Sequence, residues 1–223
     1  MICKLFHILI SLPLTIYVNF ICFDFKTACR LPIIVDFRTR IKGLYKGCIV
    51  LKCKPKFAIV KYAWGYGSYG NICNRKSFLI FKGGKIIFEG NAQFAMGTTL
   101  RADNQGVISF GRNFIANQNF SAFSNTLIQF GDNCITGWNV NLRDSDGHYI
   151  TNYNGDILNN NKPIHIGDNV WLSSHCDILK GSKVSNNSIV GFRTLVAGKF
   201  EEPNIIIAGV PGKVIKKDIN WKR

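Results

Sequence analysis

Apolar residues recur at every sixth position from Ile166 through Leu172, Ile178, Val184 and Val190 to Val196. A period of six matches neither a helix, at about 3.6 residues per turn, nor a strand, at about 2. It is the period of a β-helix, in which each hexapeptide forms one flat side of a coil and its lead residue points into the stack. Val170, Cys176, Ser182, Ser188 and Thr194 stand two residues before successive leads. All are small or slender, as the narrow interior beside bulky leads requires.

The same register runs upstream through Phe88, Phe94 and Leu100, then Phe110, Ala116 and Ala122, then Phe130, Thr136 and Leu142. Coil starts lie 22 residues apart from Phe88 to Phe110 and 20 from Phe110 to Phe130. Three hexapeptides take about 18 residues, so the surplus falls at corners. The largest interruption is the 24 residues from Leu142 to Ile166. It predicts a loop over 143–163 that leaves the coil, carrying Arg143, Asp144, Ser145, Asp146, Gly147 and His148. Long loops on a rigid scaffold are where function concentrates. The expected fold is therefore all-β: a parallel β-helix over 86–216, preceded by an extension over 1–85 and followed by a tail over 217–223 with a short C-terminal helix.

Charge sharpens this division. The chain has 223 residues and a net charge of +15. Residues 1–85 hold 15 Lys and Arg against 2 acids, whereas residues 86–223 hold 13 against 11. The basic excess is thus expected in the extension, and such asymmetry points to an anionic partner. No zinc finger, RNA-recognition motif or basic heptad is present, which argues against nucleic acid. The segment 5–23 carries no charged residue but includes His7, Ser11, Pro13, Thr15 and Asn19. Two readings stay open: an interfacial segment with Lys26 and Arg30 on its water side, or a cap packed under the coil. The first implies a peripheral contact with the inner face of the cell membrane.

The eight cysteines form no C-x-x-C pair, which argues against a zinc site. Cys134 and Cys176 fall at the small interior position and read as buried thiols. Scattered free cysteines point to a reducing cytoplasm. Among the four histidines, His7 lies in the apolar extension, His165 between Ile164 and Ile166, and His175 three residues after a lead. Only His148 sits in the loop that breaks the coil, beside two carboxylates and a glycine. Histidine is the natural general base near neutral pH. Asp144 and Asp146 are candidates to accept its other ring N–H and fix the tautomer; the competing reading of Asp-Ser-Asp-Gly is turn chemistry.

Asp146-Gly147-His148, Ile166-Gly-Asp-Asn-Val-Trp171, Ile178-Leu-Lys-Gly181 and Ala208-Gly-Val-Pro-Gly-Lys213 occur in the order seen in hexapeptide-repeat acetyltransferases. The chain resembles the galactoside and maltose acetyltransferase branch, and O-acetyltransferases of capsule, exopolysaccharide and O-antigen assembly above all. Phe25-Lys26 to Leu31-Pro32 is similar to the start of capsular acyltransferases. The resemblance implies a left-handed coil, a homotrimer, acetyl-CoA as donor, no metal, and a glycan or lipid-linked sugar as acceptor. It makes His148 the base that activates the sugar hydroxyl. It places Asn117 towards the acceptor or acyl group, Trp171 in the cleft between subunits, and the backbone N–H of Ser174 at the oxyanion. Lys180, Arg193, Lys199 and Lys213 then belong to the coenzyme A groove. Relatives carry Gly-Ala-Gly-Ser where this chain has Gly191-Phe192-Arg193-Thr194. Two other function classes compete: a non-catalytic trimeric scaffold, and a γ-carbonic-anhydrase-like metal hydratase using His148, His165 and His175.

Overall fold

The computed structural model describes residues 2–64 and 76–222. The chain winds into a parallel β-helix whose strands form three sheets of nine, seven and seven strands among the described residues, each coil strand hydrogen-bonded in parallel to its counterpart in the neighbouring coil and the ninth strand of the first sheet added by a C-terminal hairpin. The first face runs from Ile33–Val35 through Ala92–Phe94 and Trp171–Leu172 to Ile206–Gly209; the second from Arg40–Lys42 to Leu195–Val196; the third from Ile49–Leu51 to Lys199–Phe200. Every lead residue from Phe88 to Val196 is buried, and so are Val170, Cys176, Ser182, Ser188 and Thr194. Parallel in-register pairing sets like positions one above another. Phe88, Phe110 and Phe130 therefore stack along the third face, with ring centroids 5.6 and 5.5 Å apart. Burial pushes the interior thiols of Cys176 and Cys134 up, to about 11 and about 12, so both remain protonated. Cys73 lies outside the described residues.

The corners demand a left-handed backbone, which Asn tolerates better than most side chains. Asn119 and Asn139 take positive φ between the first and second faces, and Asn119 Nδ2 donates to Asn139 Oδ1 at 2.9 Å. His175 and Arg193 occupy the same position in the next coils, with φ of 62° and 55°.

The expected boundary at residue 85 is corrected. Val35 pairs with Tyr62, Ile41 with Leu79, and Leu51 with Phe88. The coil therefore begins at Ile33, and much of the basic excess decorates its first turns. Longer corners and the stretch 65–75 hide the six-residue period there, while the pairing continues unchanged. The expected C-terminal helix is corrected too. Gly212–Lys216 turns back antiparallel on Ile206–Gly209. Gly209, Pro211 and Gly212 make the tight turn, and β-branched Val214 and Ile215 favour a strand that covers the open edge of the first face.

The opposite end is closed by α1, Ile2–Cys22, followed by the single turn α2, Phe25–Ala28. The first strand of a coil leaves N–H and C=O groups unpaired. Asn19 accepts from Ile33 N–H at 3.2 Å and donates to its C=O at 2.7 Å. The Thr15 hydroxyl accepts from Val35 N–H at 3.1 Å, and Ser11 Oγ from Phe37 N–H at 3.2 Å. Four helical residues advance about 6 Å and two strand residues about 6.6 Å, so the two ladders stay in step. At the far end of the helix His7 Nε2 lies 2.7 Å from Asp36 Oδ2. Burial disfavours the Asp36 charge, yet the hydrogen bonds and charge of Arg38, with His7, hold its carboxyl below the ordinary value. The packing of α1 thus bears out the cap reading of 5–23. Among the described residues no helix is long and apolar enough to cross a membrane.

Candidate functional site

The chain leaves the second face after Arg143 and rejoins the third at Ile164. Its root is fixed by Asp144, which is fully buried. One carboxyl oxygen accepts from the Asn125 N–H at 2.7 Å. The other accepts from Ser124 Oγ at 2.7 Å, Thr126 N–H at 2.9 Å and Thr126 Oγ1 at 3.0 Å. Both oxygens are engaged by the turn 124–126, so the expected role of Asp144 as partner of His148 is corrected. Turn chemistry is its role, because the preceding coil presents four donors at this one point.

Asp146 is tied to Lys180 at 2.5 Å and to Asn159 Nδ2 at 2.8 Å. The hydrogen bonds from Lys180 and then Asn159 hold its carboxyl below the ordinary value, so it keeps its charge across neutral pH. Asn159 is the hub of the loop. Its amide donates to the His148 carbonyl at 2.8 Å, its Oδ1 accepts from Ile150 N–H at 2.7 Å, and its own carbonyl accepts from Lys180 Nζ at 2.8 Å. The backbone of His148 is therefore clamped, while its exposed imidazole makes no hydrogen bond among the described residues. Asp146 serves the loop rather than the ring. Sequence reading misses Asn159, since the first of three consecutive asparagines, followed by Asn160 and Asn161, carries no spacing signal.

Beside the root of the loop lies a cleft of about 830 Å³ lined by Lys162, His165, Lys180, Lys183, Lys199 and Glu201, among others. Lys183 pairs with Glu201 and Lys180 with Asp146. Lys162 and Lys199 make no ion pair among the described residues. The fold thus links His148, Asp146 and Lys180 through Asn159 at the corner between the second and third faces, while Lys180 and Lys199 line the cleft on the third face.

The remaining candidates stand elsewhere. Asn117, Ser174 and Arg193 lie at the corner between the first and second faces. Asn117 Nδ2 donates to the Thr136 carbonyl at 2.9 Å, the bond of a corner Asn. Ser174 Oγ accepts from Trp138 N–H at 3.1 Å, while its own N–H donates to nothing among the described residues. Arg193 lies over the Phe192 ring at 5.6 Å, and that ring meets His175 at 5.2 Å. The bulk that replaces Gly-Ala-Gly-Ser thus builds an outward corner ladder. Trp171 is partly exposed on the first face, with its ring 6.0 Å from that of Trp221 in the tail. Lys213 is exposed on the final hairpin. A second cleft, of about 550 Å³, opens on the second face, lined by Phe78, Thr99, Asn119, Ser121, Asn139 and Asn141, among others.

No family model matches the chain. Among curated proteins it is 37% identical over 112 residues to the galactoside O-acetyltransferase of Escherichia coli K12, covering 49% of this chain and 54% of that protein. It is 30% identical over 144 residues to WbbJ of the same strain, provisionally described as a lipopolysaccharide biosynthesis O-acetyl transferase, covering 60% of this chain and 72% of that one. The chain therefore spans about half the length of the first relative and nearly three quarters of the second. Among solved structures, the polysialic acid O-acetyltransferase OatWY superposes with a TM-score of 0.64 at 22% identity, over 86% of this chain and 87% of that one. The polysialic-acid-specific acetyltransferase NeuO gives 0.53 at 23%, over 86% and 89%. These likenesses identify the coil as a left-handed parallel β-helix.

Proposed function

We propose that the chain, which belongs to the hexapeptide-repeat acetyltransferases, moves an acetyl group from acetyl-CoA to a sugar hydroxyl of a capsule, exopolysaccharide or O-antigen precursor. The observation that carries this reading is the loop at the corner between the second and third faces. It holds His148 by its backbone, leaves the imidazole free, and lies beside a lysine-lined cleft.

In this reading His148 takes the proton from the sugar hydroxyl as its oxygen attacks the thioester carbonyl. The tetrahedral intermediate carries a negative oxygen, which the Ser174 N–H is free to receive. As the intermediate collapses the carbon–sulfur bond breaks, and the proton passes from His148 to the departing coenzyme A sulfur. Lys162 and Lys199 offer positive charge to the coenzyme's phosphates. The amide- and hydroxyl-lined cleft on the second face suits a sugar, whose hydroxyls need both donors and acceptors.

His148 and Ser174 issue from different corners of successive coils. A site using both must be completed by a neighbour, and a C3 homotrimer supplies three equivalent interfaces for that. Light scattering should give the mass of three chains. A fully active monomer would overturn the shared site. A lipid-linked acceptor further places the protein at the cytoplasmic face of the membrane.

The direct test of transfer is mass spectrometry of the native glycan made with and without this protein, with release of free coenzyme A thiol followed in vitro. One acetyl mass per modified sugar and matching thiol release are expected. An unchanged glycan beside a folded trimer would leave a scaffold.

A further inference from the structure

We propose that the outer face of α1 docks on an anionic membrane surface, seating the coil by its N-terminal end. The inference deepens the membrane part of the proposed function and rests on it only for the place of work. A helix on a soluble protein turns its apolar side inward and its polar side to water. This helix is apolar on its outer side as well as its inner one, where Val18 and Cys22 join the core among polar residues. Ser11, Thr15 and Asn19 are buried, because the edge of the first strand needs hydrogen-bonding partners. Leu9, Leu12, Ile16, Tyr17 and Phe20 face outward, from 37% to 57% exposed. Hydrogen bonding to the strand accounts for the inward side only. A solvated outward side would carry charges, yet none occurs from residue 5 to residue 23.

The surroundings select the occupant. Lys46, Lys54 and Lys56 are exposed at the corners of the first coil, beside the end that α1 covers, and Lys42 is exposed at the end of a strand there, while Lys52 is paired with Glu89. Two acids, Asp24 and Asp36, lie in residues 1–85, and Asp36 is buried against Arg38. An uncharged apolar face rimmed by lysines complements a bilayer with anionic headgroups. A second copy of the same end would bring like charge against like charge. A span is inconsistent with the geometry, since the inner side of α1 is hydrogen-bonded to the coil.

The test is sedimentation of the full chain with vesicles of phosphatidylcholine alone, and of phosphatidylcholine mixed with phosphatidylglycerol. Binding should require the anionic lipid and weaken with salt. The combined substitutions Leu9→Ser, Ile16→Ser and Phe20→Ser, all on the exposed side, should lower partitioning by roughly tenfold or more. The melting temperature and acetyl transfer to a soluble acceptor should not change. Transfer measured on the same preparations reports the enzymatic reading separately, so a failure of one is not mistaken for a failure of the other. Absence of binding, equal binding to neutral and anionic vesicles, or undiminished binding by the triple variant would each overturn the proposal. So would dissociation of an oligomer by that variant with no vesicle binding by the wild type, which would make a second copy the occupant.

Discussion

Replacing His148 by alanine should lower turnover by roughly 10²–10⁴-fold, the usual contribution of a positioned general base. That is about 3–5 kcal/mol added to the barrier. The affinity for acetyl-CoA should change little, because in the proposed mechanism the imidazole meets the hydroxyl and not the coenzyme. Folding should also be spared: the interactions that hold residue 148 run through its carbonyl, which alanine retains. Steady-state kinetics at saturating donor, beside a direct titration of coenzyme A, separate these effects. Turnover near that of the wild type would remove His148 from the chemistry and require another base.

Asp144→Ala should act through stability instead. Its carboxyl satisfies two backbone N–H groups and two hydroxyls of the neighbouring coil from a fully buried position. An orphaned buried donor costs about 1–3 kcal/mol. The hydroxyls rotate to other acceptors and the two N–H groups do not, so a loss of about 2–6 kcal/mol is expected. It should be visible as a lowered urea midpoint, with turnover falling only as the root of the loop loosens. A variant that keeps its midpoint but loses turnover as steeply as His148→Ala would return Asp144 to the side of the histidine.

These two residues, four apart in the chain, show what position along a sequence reports and what it does not. His148 stands out because it alone among the histidines falls in the break of a regular period. Asp144 sits in the same break, and nothing in its neighbourhood along the chain says that its partners are Ser124, Asn125 and Thr126. Those lie one coil earlier, brought underneath by parallel stacking. Asn159 is a similar case. Its bonds to His148, Ile150 and Lys180 join residues 9 to 21 positions away, and an exposed loop has no periodicity to report them.

The sequence by itself determined the repeat. Six-residue spacing from Phe88 to Val196 dictates which side chains are buried, since a β-helix interior admits one lead per side, and every lead named from it is buried. The ordered motifs likewise carried the family. Only the tertiary structure decided how the repeat ends. At the N-terminus the coil runs back to Ile33, because hydrogen bonds between coils tolerate corner insertions that destroy a period. The polar residues of α1 turn inward there because the unpaired groups of an open strand edge outweigh hydrophobicity in choosing a partner. At the C-terminus the last strand pairs with a returning one where a helix was expected. The candidate site residues, too, are divided by the winding: His148 stands at one corner and Ser174 at another. Position along a chain cannot encode which corner a residue will reach, because each corner insertion upstream shifts sequence number without shifting place in the coil.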